Sequence, residues 1–464
     1  MPRFTGTRVQ VPKRHQLLTQ VKQEVRQYRL QSPHRHVLTQ LAQEKPPLRM
    51  RRAWDVEVKI GSRPSVKLAA NAGIIEVFDR IDGRLLILGG AGSGKTTTMV
   101  GLAKVLVDRA LSDEHEPMPI WLNLSSWPVD QQSISDWIIE QMHLKYAIAP
   151  ESGRYWMEQL QILPLLDGFD EVQEHHRESC IQHINDFLDS HLSPLHLVVS
   201  STVKSYHPCQ SRLQLNGAIL LRPLTNRQIH NYLMNARSRE LWHDIAEEPQ
   251  LLKLAQKPLF LTLMTLAYEN ILISSWKHLN SIEEQQEYLL KAYLRHQIST
   301  LRDRHHNNNA PKNYSSEQFR HWLTELAKRL EKEQTQDFIL DRIPKTWLHT
   351  PEQERAYNLA MKIVESGIWW SIIAAMILAI IWRSLPLLIA AMILGIILAL
   401  TYQRLSLKLA IERLILRFVL WGEGDAPWNY AQFLNDATGL LLLRKIGSRY
   451  QFIHRLLQKH LGKT

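Results

Sequence analysis

The stretch Gly89-Gly90-Ala91-Gly92-Ser93-Gly94-Lys95-Thr96 constrains this chain more than any other. It follows a short apolar run, LLIL, and opens a helix-length segment, TTTMVGLAKVLV. Glycines in such a turn let successive backbone N–H groups curl round a phosphate chain, and the helix that follows adds positive potential at its N-terminus. A turn of this kind between strand and helix is a P-loop. Lys95 is expected to reach the β- and γ-phosphates, Thr96 to hold Mg²⁺ through its hydroxyl, and Thr97 to continue the nucleotide-binding segment.

The runs RLLILGG, PIWLNL, ILPLLDGF, HLVVSST and AILLRPL are each four to seven apolar residues long, and most precede a helix-length segment. Short apolar strands alternating with helices imply a parallel sheet covered on both faces. One of them ends in Leu163-Pro164-Leu165-Leu166-Asp167-Gly168-Phe169-Asp170-Glu171. An apolar strand ending in an acid is the partner a P-loop needs. Asp167 is expected to hold Mg²⁺, directly or through water. Asp170 and Glu171 are the candidate catalytic carboxylates, placed to orient or deprotonate an attacking water.

The expected fold is therefore an α/β P-loop NTPase with a parallel sheet, followed by helical domains, a two-helix transmembrane hairpin and a small winged-helix-like C-terminal unit. The expected divisions are a basic helical arm and linker over 1–68, the nucleotide domain over 69–233, a helical domain over 234–366, the hairpin over 367–403 and the C-terminal region over 404–464. In that last region GLLLLRKIGSRYQFIH reads as two short strands around a Gly447-Ser448 turn.

Residues 1–67 hold 15 Lys/Arg against 4 Asp/Glu, and the remainder of the chain balances to zero, so the net charge of +11 sits in the N-terminal arm. Such an arm attracts anionic lipid or nucleic acid, though a solvated basic helix carries the same charge. Two cysteines, Cys180 and Cys209, offer neither a disulfide framework nor a zinc spacing.

The stretch Trp369–Tyr402 carries one formal charge, Arg383. Its halves are about 22 Å and 27 Å long as helices, against a hydrocarbon core of about 30 Å. Neither half has a polar face, Trp369, Trp370 and Trp382 stand at its ends, and Lys362, Arg404, Lys408 and Arg413 flank it. The expected location is a two-pass membrane protein with both termini and the nucleotide domain in the cytoplasm, and anionic membrane lipid becomes the first partner of the basic arm. Nucleic acid is the second choice.

The P-loop and the acidic extension DGFDE resemble the NACHT class of P-loop NTPases, within the STAND group of signalling ATPases. RRAWDVEVKIG at 51–61, NLSSW at 123–127, RLQLNGAILLRPLTNRQIHNYL at 212–233, KPLFLTLMTLAY at 257–268 and YQFIHRLLQKHL at 450–461 are similar to cyanobacterial NACHT proteins. The resemblance implies a switch between ADP and ATP, with Mg²⁺, and a homo-oligomer or a signalling partner protein. It implies Pro258 near the base or sugar and His454 on the ADP β-phosphate. It also exposes a departure. Such proteins usually end the fourth strand in Ser/Thr-Arg, and here the strand reads LVVSST, with Thr202 in the arginine position and Lys204 two residues on. A hydroxyl cannot stabilise charge on a transferred phosphoryl group as a guanidinium does. The expectation is a nucleotide switch with weak or absent hydrolysis, at most a slow NTPase. The alternatives are an active NTPase coupling hydrolysis to membrane or partner remodelling, and a basic nucleic-acid-binding regulator.

Overall fold

A computed structural model describes residues 11–33, 56–60, 66–67, 73–128, 132–268, 281–307, 314–333, 335–340, 343–348, 350–364, 405–447 and 449–463, with a few single positions between them. Contacts divide the chain into two compact units, Met1–Thr300 with Arg444–Gly447, and Leu301–Leu443 with Ser448–Thr464.

The first unit is built on a seven-stranded sheet. Its strands are β1 (Val56–Ile60), β2 (Val66–Lys67), β3 (Arg84–Gly89), β4 (Met118–Asn123), β5 (Ile162–Asp167), β6 (Leu197–Thr202) and β7 (Gly217–Leu221), in the spatial order β2-β1-β7-β3-β6-β5-β4. The five strands from β7 to β4 run parallel, as the alternation of apolar runs and helices implies. β5 and β6 are buried at every position, which is why they read as unbroken apolar runs. β1 and β2 extend the sheet antiparallel beyond β7. The sequence reading placed only an arm and linker there.

β6 lies between the P-loop strand β3 and the acid-tipped strand β5. Register aligns the strand ends. Gly89 of β3 faces Thr202 of β6, and Asn123 of β4 faces Asp167 of β5. The carboxyl edge of an open parallel sheet is where ligands bind in such folds.

The helix Val11–Leu30 buries Leu17, Leu18, Val21 and Val25 in the core of this unit. The Arg14 guanidinium donates to the carbonyls of Ala110 (3.2 Å) and Glu116 (2.7 Å), around the end of the P-loop helix Lys95–Ser112. Helix ends leave carbonyls without partners, and Arg14 satisfies that of Ala110. Farther along, the Glu24 carboxylate meets Lys145 Nζ at 2.5 Å and accepts from the Tyr146 hydroxyl at 2.7 Å. This part of the basic arm is packed structure, and Lys22, Arg26 and Arg29 lie on its exposed side.

The helices Asn226–Asn235, Arg239–Glu247, Pro249–Ala255 and Pro258–Ala267 follow the sheet. In the second unit the helices Ser316–Lys332, Leu405–Gly422, Tyr430–Gly439 and Arg455–Lys463 accompany β8 (Phe338–Ile339) and β10 (Arg449–Phe452), which pair antiparallel. β9 (Leu443–Ile446) precedes β10 across Gly447 at φ +61°, so two short strands flank the expected turn. Phe319, Leu323, Phe433, Leu434, Leu457 and Leu461 are buried here. Arg329, 1% exposed, pairs with Asp425 at 3.1 Å.

The expected two-pass membrane location is overturned: among the described residues no helix is long and apolar enough to cross a membrane. The helix Leu405–Gly422 has the length but carries Lys408, Glu412, Arg413 and Arg417, and a charge at a bilayer centre costs about 2.5–3.5 kcal/mol or more. The transmembrane hairpin expected over 367–403 falls outside the described residues.

Candidate functional site

The P-loop runs from the tip of β3 into the helix Lys95–Ser112. Gly92 (φ +76°) and Gly94 (φ +93°) occupy the left-handed region that only glycine enters without strain. Gly89 is required for a different reason. A Cβ there would sit 2.3 Å from Ser93 Oγ, so the closing turn packs on the glycine itself. Gly90 and Ala91 form the exposed rim, and Thr97 is exposed on the first turn of the helix. Lys95 Nζ donates to the Gly90 carbonyl at 3.2 Å, which folds its ammonium over the loop.

Asp167 lies beneath this loop, 7% exposed. Burial pushes its carboxyl pKa up, and hydrogen bonds from the hydroxyls of Ser200 and Thr96, together with the charge of Lys95, pull against that rise, while the Asp170 charge adds to it. The Thr96–Asp167 contact joins the two residues expected to hold Mg²⁺. A buried carboxylate and a neighbouring hydroxyl are hard oxygen donors. Mg²⁺ is held by one or two carboxylates with phosphate oxygens and water, so the donor set fits that ion.

The other two acids are also engaged. Asp170 Oδ1 accepts from the Thr202 backbone N–H at 3.1 Å. Glu171 Oε2 accepts from the Asn123 side-chain amide at 2.9 Å. Gly168 (φ +77°) makes the turn from Asp167 to these two acids, where a Cβ would lie 2.8 Å from Glu171 Oε2. The Arg177 guanidinium donates to the carbonyls of Asp170 (3.3 Å) and Val172 (3.2 Å) and so braces the acidic turn from behind.

Thr202 ends β6 beside Gly89. Its hydroxyl accepts from the Ser205 N–H at 3.3 Å, capping the short helix Val203–Tyr206, while Lys204 on that helix is exposed. Pro258 is the first residue of its helix, and the next residue, Leu259, donates its N–H to the Gly92 carbonyl at 3.2 Å. The structure thus sets Pro258 beside the P-loop. His454 belongs to the second unit. Its Nδ1 accepts from the Leu456 N–H at 3.1 Å at the start of the last helix, an arrangement that leaves the ring proton on Nε2.

The sequence reading did not single out Ser200, Asn123 or Arg177. Ser200 and Asn123 lay inside strands that it quoted, but their partners are set by strand order.

Residues 84–240 match the family described as the NACHT domain. No match was found among curated proteins. Among solved structures, the chain is similar to the ORC1 protein of Aeropyrum pernix in complex with DNA, at 14% identity and a TM-score of 0.28, over 62% of this chain and 78% of that one. The Drosophila ORC bound to DNA is similar at 15% identity and a TM-score of 0.26, over 57% and 66%. A Walker-type ATPase of Pyrococcus abyssi is similar at 10% identity and a TM-score of 0.25, over 83% and 93%. Likenesses this slight say nothing of what this chain binds. The family match covers the P-loop, the acid-tipped strand and the strand between them: residues 84–240 of this chain form a NACHT domain, a P-loop nucleotide-binding module.

Proposed function

We propose that the chain is an ATP/ADP-dependent signalling switch that uses Mg²⁺ and hydrolyses ATP slowly or not at all. Thr202 is the observation that carries this reading. It ends the strand lying between the P-loop strand and the Asp167 strand, with a neutral side chain already spent on capping a helix. A guanidinium at such a position contributes on the order of 10³-fold or more. The Glu171 carboxylate is held by Asn123 instead of standing free as a base.

Lys95 and the P-loop amides, Gly89 to Thr97, would hold the phosphates. Thr96 and Asp167 would hold Mg²⁺, which when bound neutralises charge between the β- and γ-phosphates. Pro258 would border the base or sugar. His454 would offer Nε2–H to the ADP β-phosphate, in a winged-helix-like C-terminal region. The nucleotide domain would span 69–233 and the helical domain 234–366, and a second copy or a partner protein would receive the signal.

A second reading, an active NTPase, is favoured by Asp170 and Glu171 both lying on the turn after Asp167. Two measurements separate the readings. Fluorescent ADP and ATP should bind the full chain with Mg²⁺, and Lys95→Ala should weaken both at least tenfold. Phosphate release should stay on the order of 10⁻³ per second, the scale of GTPases lacking a supplied arginine. Turnover of about 1 per second or faster, in the kinase range, would decide for the NTPase. Absence of nucleotide binding would remove both.

A further inference from the structure

β6 makes a contact that its position beside the P-loop does not require. Ser200 is fully buried, and its hydroxyl donates to Asp167 Oδ1 while accepting the Gly168 N–H at 3.1 Å. One hydroxyl proton and one lone pair are therefore both committed, and the Ser200 oxygen has a fixed orientation. The contact spans two strands, tying the side chain at the tip of β5 to the middle strand β6 and to the backbone just past the acid. Two residues on, and so on the same face of β6, Thr202 offers only its backbone N–H to Asp170.

We infer that Ser200 is a positioning residue for the divalent cation: its hydroxyl fixes one oxygen of Asp167, so that the carboxylate meets the cation in a single orientation. In this chain the middle strand would then register the metal, through Ser200, where an arginine would have registered the γ-phosphate. The inference rests on the nucleotide-binding reading above. The chemistry is that of partners that orient a metal ligand from behind, whose removal typically costs 10- to 100-fold in metal affinity. A hydroxyl that serves the cation acts on ADP and ATP complexes alike, because both bring a β-phosphate and a cation. One that served the γ-phosphate would act on ATP alone.

The test is nucleotide affinity as a function of free Mg²⁺, read with fluorescent ADP and ATP on the full chain, for wild type, Ser200→Ala and Ser200→Thr. Ser200→Ala is expected to raise the Mg²⁺ concentration at half-effect about tenfold or more for both nucleotides. Affinity in EDTA should stay unchanged, and Ser200→Thr should restore the wild-type midpoint. An unchanged midpoint overturns the inference. So does a shift seen with ATP only, and so does an equal loss of affinity in EDTA, which would mark a merely structural role. Ser200→Cys keeps the volume while weakening the donor, and its midpoint decides the matter if the alanine variant does not fold. Wild-type protein that binds no nucleotide with Mg²⁺ would instead bring down the broader reading.

Discussion

Thr202 and Asn123 each touch an acid of the candidate site, and substitution separates what they do. Thr202 offers Asp170 its backbone N–H, a contact open to any residue but proline. Its hydroxyl caps the helix Val203–Tyr206, worth about 1 kcal/mol. Thr202 is buried, so Thr202→Arg sets a cation beside the P-loop at a cost in stability. We expect phosphate release to rise at least tenfold in protein that still binds ATP. A flat rate there would remove Thr202 as the basis for the slow hydrolysis proposed above. Asn123→Ala leaves Glu171 without the amide that holds Oε2, and removes the Oδ1 that accepts the Ser125 N–H at 2.8 Å. If Glu171 is a restrained base, turnover rises several-fold. A fall would make Asn123 a group that positions Glu171 for work.

Among the elements, the helix Val11–Leu30 is the one whose role changed most. Leu17 and Val21 are fully buried, so Leu17→Ala should cost about 2–5 kcal/mol and lower the melting temperature of the full chain. Glu24→Ala strands Lys145 between the rings of Trp121 and Tyr146 without its carboxylate, a loss of about 3–5 kcal/mol for a buried pair. Melting curves that match wild type would return this helix to the status of a loose arm. Its apolar face was legible in the sequence, because Leu17, Leu18, Val21 and Val25 recur at helical spacing. Its docking was not, since Arg14 and Glu24 find partners about a hundred residues away. The same distinction runs through the site. The P-loop closes on itself within eight residues and could be read locally. The contacts Ser200–Asp167 and Asn123–Glu171 exist only because β6 enters between β3 and β5, and β4 lies beyond β5. The loop after β6 adds a pH dependence. Glu178 accepts the N–H groups of Gln210 (2.9 Å) and Ser211 (2.8 Å), which hold its carboxyl below the ordinary range. A lowered carboxyl pKa means that this tie is fully present above the ordinary value and is lost as pH falls through the lowered one. Hydrogen-exchange protection at Gln210 and Ser211 should fall on acidification in wild type. It should be weak at every pH in Glu178→Gln, and equal protection in the two proteins would remove the tie.

At the scale of the whole molecule, the P-loop and Pro258 belong to one compact unit and His454 to the other. Ligand that binds only the folded state stabilises by about 2.7 kcal/mol at a concentration of 100 times Kd. Calorimetry of the full chain should therefore show the first unit melting later with ADP and Mg²⁺. The second unit holds no P-loop residue, so its transition responds to ADP only through a link such as His454. His454→Ala complicates a direct reading, because the ring accepts the Leu456 N–H and its loss lowers the second transition by about 1 kcal/mol without any nucleotide. The informative quantity is the ADP-induced shift in each protein. If His454 engages the β-phosphate, ADP raises both transitions in wild type and only the first in His454→Ala. A second transition blind to ADP in wild type would leave His454 as a helix cap alone, and the switch would have to reach the C-terminal unit by another route. A second transition still raised by ADP in His454→Ala would keep the coupling and move it elsewhere. The bond from Leu259 to Gly92 is then the next place to look, since it ties the loop that would hold the phosphates to the helices that follow the sheet.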